Sequence, residues 1–460
     1  MIQNAIVNLA PVGTQLNSAT TSYNADGTTT ITATGQGAVV DASGGTVTGG
    51  NGVALTVLGQ PVAIGLGNNS SLILDSGPTS TVNGVTVSLG TNASFTGTGT
   101  GQNVTAGQGS NLTFTGTGNT ANTGASSTVT DTGGDNAIVL GANSTVTLTA
   151  SGDALTGINS TANVTGNVSF GMTGAGNTLD LTNGATATLS GGTGDVVLGS
   201  GATVNTSGAF NFSTAASNDT FNFQTAGASA NVTAGTGDQF AGSNDTLYSV
   251  SNETFSFSGS NNTLGIGSGD NVTLSGGTND GVFGGGATVT ADAGMNVSVT
   301  GNNYTVNAEA SGQTIGIAGS TDTVNLVTGD IADVGGMAGG AGTGETVNGT
   351  GDTVYAAANT TLQVSGGNDV LGGIGNNSSI TLEGGTNDSV FGSNSSVTAD
   401  AGMNASVTGN GDTVTTVAAG QTVGVGGSKR MGKRSVTHRF PCIAMMGNAA
   451  LTRPTFVYNP

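Results

Sequence analysis

Half of the 22 aspartates in this 460-residue chain sit in one local pattern: Gly or Asn, then Asp, any residue, and Val, Leu or Phe. They are Asp153, Asp195, Asp219, Asp238, Asp245, Asp270, Asp280, Asp352, Asp369, Asp388 and Asp412. A carboxylate beside a Gly-rich turn can do two things. It can accept backbone N–H groups and fix the turn. It can also join exposed carbonyls around a hard cation such as calcium, which takes roughly six to eight oxygens. The spacings of 17 and 19 between Asp352, Asp369 and Asp388 are those of neighbours on a repeating coil. Those three, with Asp195 and Asp280, are the candidate metal ligands.

Other chemistry is short of reagents. All six Lys and Arg, the single His438 and the single Cys442 lie after Ser428, and all 26 Asp and Glu lie before it. The chain up to Ser428 therefore carries −26 and the remainder +6. A body without Lys, Arg, His or Cys lacks the usual bases, nucleophiles and phosphate clamps. A pair of carboxylates would suffice for glycoside hydrolysis, but no catalytic residues are assigned and the chain is expected not to be an enzyme. An acidic body with no cations cannot neutralise phosphates, so nucleic acid and anionic membrane are excluded as partners. No apolar run approaches a membrane span.

The elements that must position these aspartates are short and repeated. Gly265–Ser320 aligns without gaps on Gly373–Ser428, offset 108, with 35 of 56 positions identical. A shorter echo at offset 85 relates Ser190–Val204 to Ser275–Val289. Within these copies apolar anchors recur every eight or nine positions, as at Val129, Ile138, Val146, Leu155 and Val164. Each anchor sits in an alternating run such as Ser144-Thr-Val-Thr-Leu-Thr149, the signature of a strand with one buried face. Ser-Gly, Gly-Asn and Asn-Gly pairs separate the runs and turn the chain. With 84 Gly, 4% aromatics and no Trp, the chain can fill only a thin core. The expected fold is all-β, an elongated parallel β-solenoid of short strands and Gly/Asn/Asp turns. The offset of 85 spans ten anchors, which favours two strands per coil over three; spacing between Val324 and Val347 is irregular.

Gly366-Gly-Asn-Asp-Val-Leu-Gly-Gly-Ile-Gly-Asn-Asn377 resembles the nonapeptide Gly-Gly-x-Gly-x-Asp-x-Leu-x of RTX (repeats-in-toxin) proteins of Gram-negative bacteria. The resemblance implies a β-roll whose turn carbonyls and Asp carboxylates enclose calcium between coils. It extends in style over residues 100–428, but the motif is matched well only once, and in Gly191-Gly-Thr-Gly-Asp195 the Asp comes one position early. It implies either an adhesin-type repeat body or a calcium-binding folding and secretion module of a larger toxin or enzyme.

Three segments are expected: an irregular cap at 1–35, the repetitive body at 36–428 and a basic tail at 429–460. Identity at offset 108 drops to 3 of the next 32 positions after Ser428, so the tail reads as frameshifted or foreign, with a C-terminal export signal lost. The start lacks the basic n-region of a signal peptide. The expected role is a secreted or cell-surface stalk that is structural or adheres to surfaces or glycans, with self-association through coil edges. Phe210, Phe212, Phe221, Phe223, Phe255 and Phe257 read as a wide section of core rather than a ligand platform. The Thr-x-Thr runs read as strand formers, out of register from coil to coil, and not as an ice-binding array.

Overall fold

The computed structural model describes residues 19–431, apart from 24–28, 34–35, 42–45, 59–62, 75–82, 209–210, 337–339, 401, 418–420 and 428–429. Every regular element in it is a β-strand of two to seven residues. From Thr29 onward each strand pairs in parallel with the next strand but one, so two strands and two turns make one coil. The result is a parallel β-solenoid of about 21 turns. At ~4.8 Å per coil the stack is roughly 100 Å long.

The alternation seen in the sequence sets the two faces. Strand Thr145–Leu148 lies beside Thr128–Asp131, with Val146 on Val129 and Thr147 on Thr130. Inward residues stack into ladders, one of which runs Val87, Val104, Ala121, Ile138, Leu155, Met172 and Leu189. Ala121 fills the rung that the larger anchors skip. The strands holding Val197 and Val282 are ten apart, or five coils, as the anchor count required. Between Val324 and Val347 one coil swells: Thr323 pairs with Thr346, where one coil earlier Thr305 pairs with Thr323.

Phe212, Phe221, Phe223, Phe240, Phe255 and Phe257 are buried together. Phe221 stacks on Phe240 at 4.9 Å between centroids, and Phe240 on Phe257 at 6.1 Å. The aromatic zone is core, as expected; Phe210 lies outside the described residues. One expectation is corrected. Thr96, Thr113, Thr130 and Thr147 fall in register on four successive coils, because the coils there are all of one length. The row then breaks at Asn163 and Asp180.

At the start, Ala19–Tyr23 folds back antiparallel on Thr29–Ala33 and covers one edge of the stack. A covered edge cannot template pairing with another chain. The rest of the segment expected as a cap, 1–18, 24–28 and 34–35, lies outside the described residues. At the far end Arg430–Met431 continues the parallel pairing, on Thr413 and Val414, so the ladder enters the basic segment. The remainder of the tail, with His438 and Cys442, lies outside the described residues.

Candidate functional site

The candidate aspartates occupy one structural position. Each stands at the beginning of a strand and turns into the coil, where its Oδ1 accepts the backbone N–H of the residue one coil earlier. Asp369 accepts from Asp352 at 3.0 Å, and Asp388 from Asp369 at 3.1 Å. The three therefore form consecutive rungs, as their spacing predicted. Asp195 accepts from Asn177 at 2.6 Å and Asp280 from Asn262 at 2.8 Å, in the same way. These two stand on the same row of strands, five coils apart from each other and away from the trio.

The residues before each rung build its turn. Asn244, Asn368 and Asn387 precede Asp245, Asp369 and Asp388 with φ of 61°, 62° and 67°, a left-handed corner that Asn tolerates well. Three residues before Asp369, Gly366 has φ +127°, and a Cβ there would come within 1.4 Å of the Gly349 carbonyl oxygen. Coils approach so closely at this corner that only glycine fits.

The aspartates are one part of a longer ladder whose neutral members the sequence reading missed. Ser110, Ser127 and Ser144 accept the N–H of Ala93, Ser110 and Ser127, and Asn119 and Asn136 accept from Gln102 and Asn119. Their even spacing before Thr and Ala strands was visible, but Ser and Asn are too common in this chain to stand out. Asp322 and Asp330 are further rungs, accepting from Tyr304 and Gln313. Glu345 is a rung as well, accepting from Asp322 at 2.8 Å.

Neutral rungs use their second polar function as a donor. The hydroxyls of Ser110 and Ser127 donate to the carbonyls of Gly107 and Gly124, at 2.7 and 2.8 Å. The amides of Asn136, Asn177 and Asn262 donate to Gly116, Gly157 and Gly242, at 3.1 to 3.2 Å. An ionised aspartate has no proton to give. Accordingly Oδ2 of Asp153, Asp219, Asp238, Asp245, Asp322, Asp352, Asp369 and Asp412 is buried without a hydrogen-bond partner. Asp270 differs: its Oδ2 accepts from Gly267 N–H at 2.7 Å and from the Ser249 hydroxyl at 2.5 Å.

No cation is at hand, since the body contains none. Burial raises many of the ladder's carboxyls. Asp153 and Asp238 are pushed up to about 7, each raised further by neighbouring carboxylates. Asp280 and Asp369 are raised to about 6, and Asp195, Asp219, Asp245, Asp352 and Asp388 also move upward, in every case chiefly through burial. Asp322 and Glu345, neighbours on the ladder, are both held up by burial. Asp131 is a separate buried acid, lying in the core row between Phe114 and Leu148. The Asn136 amide reaches both its oxygens at 3.0 and 2.8 Å, yet burial still lifts it to about 6.

An oxygen-only donor set suits a hard cation such as calcium by its chemistry. Eight rungs each offer one carboxylate oxygen with no partner. Among the described residues no three Asp, Glu, His or Cys side chains gather into a metal-binding group. Any cation would have to draw most of its oxygens from backbone.

The fold and the ladder define the chain as a β-solenoid repeat protein. It matches no protein-family model, no curated protein and no solved structure.

Proposed function

We propose that this chain is a non-enzymatic repeat protein of the extracellular space or cell surface, acting as an adhesin-like stalk or structural surface component. The observation that carries this reading is the unbroken parallel ladder, in which nearly every strand spends its inward residues on stacking and presents Thr, Ser and Asn outward. Such a stack converts sequence length into distance, because each coil contacts only its neighbours. The absence of Lys and Arg before Lys429 also denies trypsin a cleavage site along the body. The test is retention of the full chain on cells and on polysaccharide-coated beads. Saturable retention with the surface left chemically unchanged is expected; release of reducing sugar would make it an enzyme and sink the proposal.

A second reading, a calcium-dependent folding module of RTX type, is favoured by the partnerless Oδ2 atoms. When bound, calcium would supply the positive charge that the rungs lack, with Asp352, Asp369 and Asp388 as the densest run of ligands. Far-UV circular dichroism in chelator, followed by calcium titration, separates the two. Strand signal that arises only with calcium supports the second reading, since ion and fold are then linked. An equal spectrum in chelator supports a solenoid held by hydrogen bonds and protons.

A further inference from the structure

Among the described residues four aromatic side chains are exposed: Tyr248 at 45%, Phe283 at 40%, Tyr355 at 43% and Phe391 at 46%. The other large exposed apolar residues are aliphatic. In a chain with 4% aromatics and an outer surface of Thr, Ser, Asn and Gly, that is a selective placement. All four stand on the same sheet of the solenoid, in strands Thr246–Ser249, Asp280–Gly285, Thr353–Ala356 and Asp388–Gly392.

They form two pairs of one design. In the first, the outward row reads Asn231, Tyr248, Gly265, Phe283 and Thr300 on five successive coils. The rings of Tyr248 and Phe283 meet edge to face at 6.1 Å, above Gly265. A Cβ on Gly265 would lie 2.6 Å from Tyr248 and 2.8 Å from Phe283, so the glycine makes room for the two rings to meet edge to face over its coil. In the second, Asp333 pairs with Tyr355, Tyr355 with Gly372, and Phe391 with Thr408. Gly372 and Gly373 occupy the coil between the rings, where the ladder is bulged. Phe283 and Phe391 are counterparts in the copy at offset 108, and Tyr248 and Tyr355 fall 107 apart. An exposed Tyr and an exposed Phe on either side of a glycine-bearing coil thus recur six coils along, or ~29 Å at the spacing of paired strands, with a bulge in the second set that shifts its register.

We infer that this face binds a neutral polysaccharide, with the Tyr248–Phe283 and Tyr355–Phe391 pairs as two stacking platforms. The inference rests on the adhesive reading above and gives it a ligand class. Flat aromatic rings suit the C–H face of a pyranose, and bordering hydroxyl, amide and carboxyl groups suit its hydroxyls. Two platforms in a row suit a chain of repeating units, for which linked weak sites raise avidity. Charge selects among partners: a body without Lys, Arg or His offers a polyanion no counter-charge. Each platform is one ring pair wide with polar borders, far below the ~800 Å² per partner of a stable protein interface.

The test uses the full chain on cellulose and chitin, with alginate as the anionic polymer. Retention on at least one neutral polymer and none on alginate is expected. The double variant Tyr248→Thr, Tyr355→Thr replaces exposed rings with the residue type of the surrounding surface and should keep its circular dichroism. It should bind roughly tenfold or more weakly, as two linked stacking contacts are lost. No retention on either neutral polymer, or a double variant within twofold of the parent, overturns the inference. So does self-association seen by sedimentation that the double variant abolishes. If the double variant still adheres to cells as the parent does, the platforms are idle and the adhesive reading survives; if the parent adheres to nothing, that reading falls first.

Discussion

The coils from Ser110 to Ser160 and those from Asp195 to Asp412 share one backbone design and differ in what fills the rung. In the first region the rungs are mostly Ser and Asn, which accept one N–H and donate to a turn carbonyl. In the second most are Asp, which make the same acceptance and leave an oxygen over. Geometry is therefore indifferent to charge, while energetics is not. Most neutral rungs close their own hydrogen bonds at any pH, Asn119 being an exception. An acidic rung with an oxygen left over would be completed by a proton or a cation, and the body supplies no basic side chain. The first region depends on its solvent at few points, chiefly Asp131 and Asp153; the second does so at most of its rungs.

The largest expected effect comes from cutting the stack inside the Asp-rich region. Phe240 stacks between Phe221 and Phe257 near the middle of the chain. Phe240→Ala should cost about 3–5 kcal/mol locally. In a quasi-one-dimensional stack it should split thermal unfolding into two transitions, read by calorimetry. A single transition would show that the coils on either side of Phe240 are coupled by more than this contact.

Next comes pH. The carboxyls of Asp153, Asp238, Asp280 and Asp369 hold their protons more tightly in the coil than in the unfolded chain. Their favourable contribution is complete below about pH 4 and is lost as pH rises through about 6 to 7. Hydrogen exchange at pH 4.5 and 8, corrected for intrinsic rates, should show the Asp-rich coils losing protection while the Ser-lined turns between Ser110 and Ser160 keep theirs. Equal protection in both regions at both pH values would remove the distinction.

Two exchanges sharpen it. Asn262→Asp places a carboxylate between the rungs of Asp245 and Asp280 and removes the amide bond to Gly242. It should cost about 2–3 kcal/mol at pH 8 and little at pH 4.5, by denaturant titration. Asp238→Asn does the reverse, raising stability by about 1–2 kcal/mol at pH 8 only. The smallest effect serves as reference: Ser127→Ala strands the Ser110 N–H and should cost about 1 kcal/mol, the same at both pH values.

The legible part of the site was the Asp spacing. Steps of 17 and 19 placed Asp352, Asp369 and Asp388 on adjacent coils, and they are adjacent rungs. Asp195 and Asp280 share their position and row without being neighbours of each other or of the trio. Neutral rungs were hidden by composition, and Asp322 by the Thr321 before it, which takes the left-handed corner at φ 63° where Asn was the signal.

What the sequence determined by itself is local. Alternation of Thr and Val sets strands of four or five residues, Gly and Asn corners set the turns, and the regular recurrence of apolar anchors sets two strands per coil. Tertiary structure decided which residues meet across coils. Coil length varies: Thr145 pairs with Thr161, whereas Thr323 reaches as far as Thr346 for its partner. The variations are absorbed in turns and in strand bulges, as between Thr343 and Glu345 and between Leu371 and Ile374, and the register beyond depends on how each closes. For that reason a four-coil row of Thr and two aromatic pairs over glycine emerged only in three dimensions. The sequence shows acids at intervals; only the packed coil shows that each has one oxygen answered and, in eight of them, the other left alone.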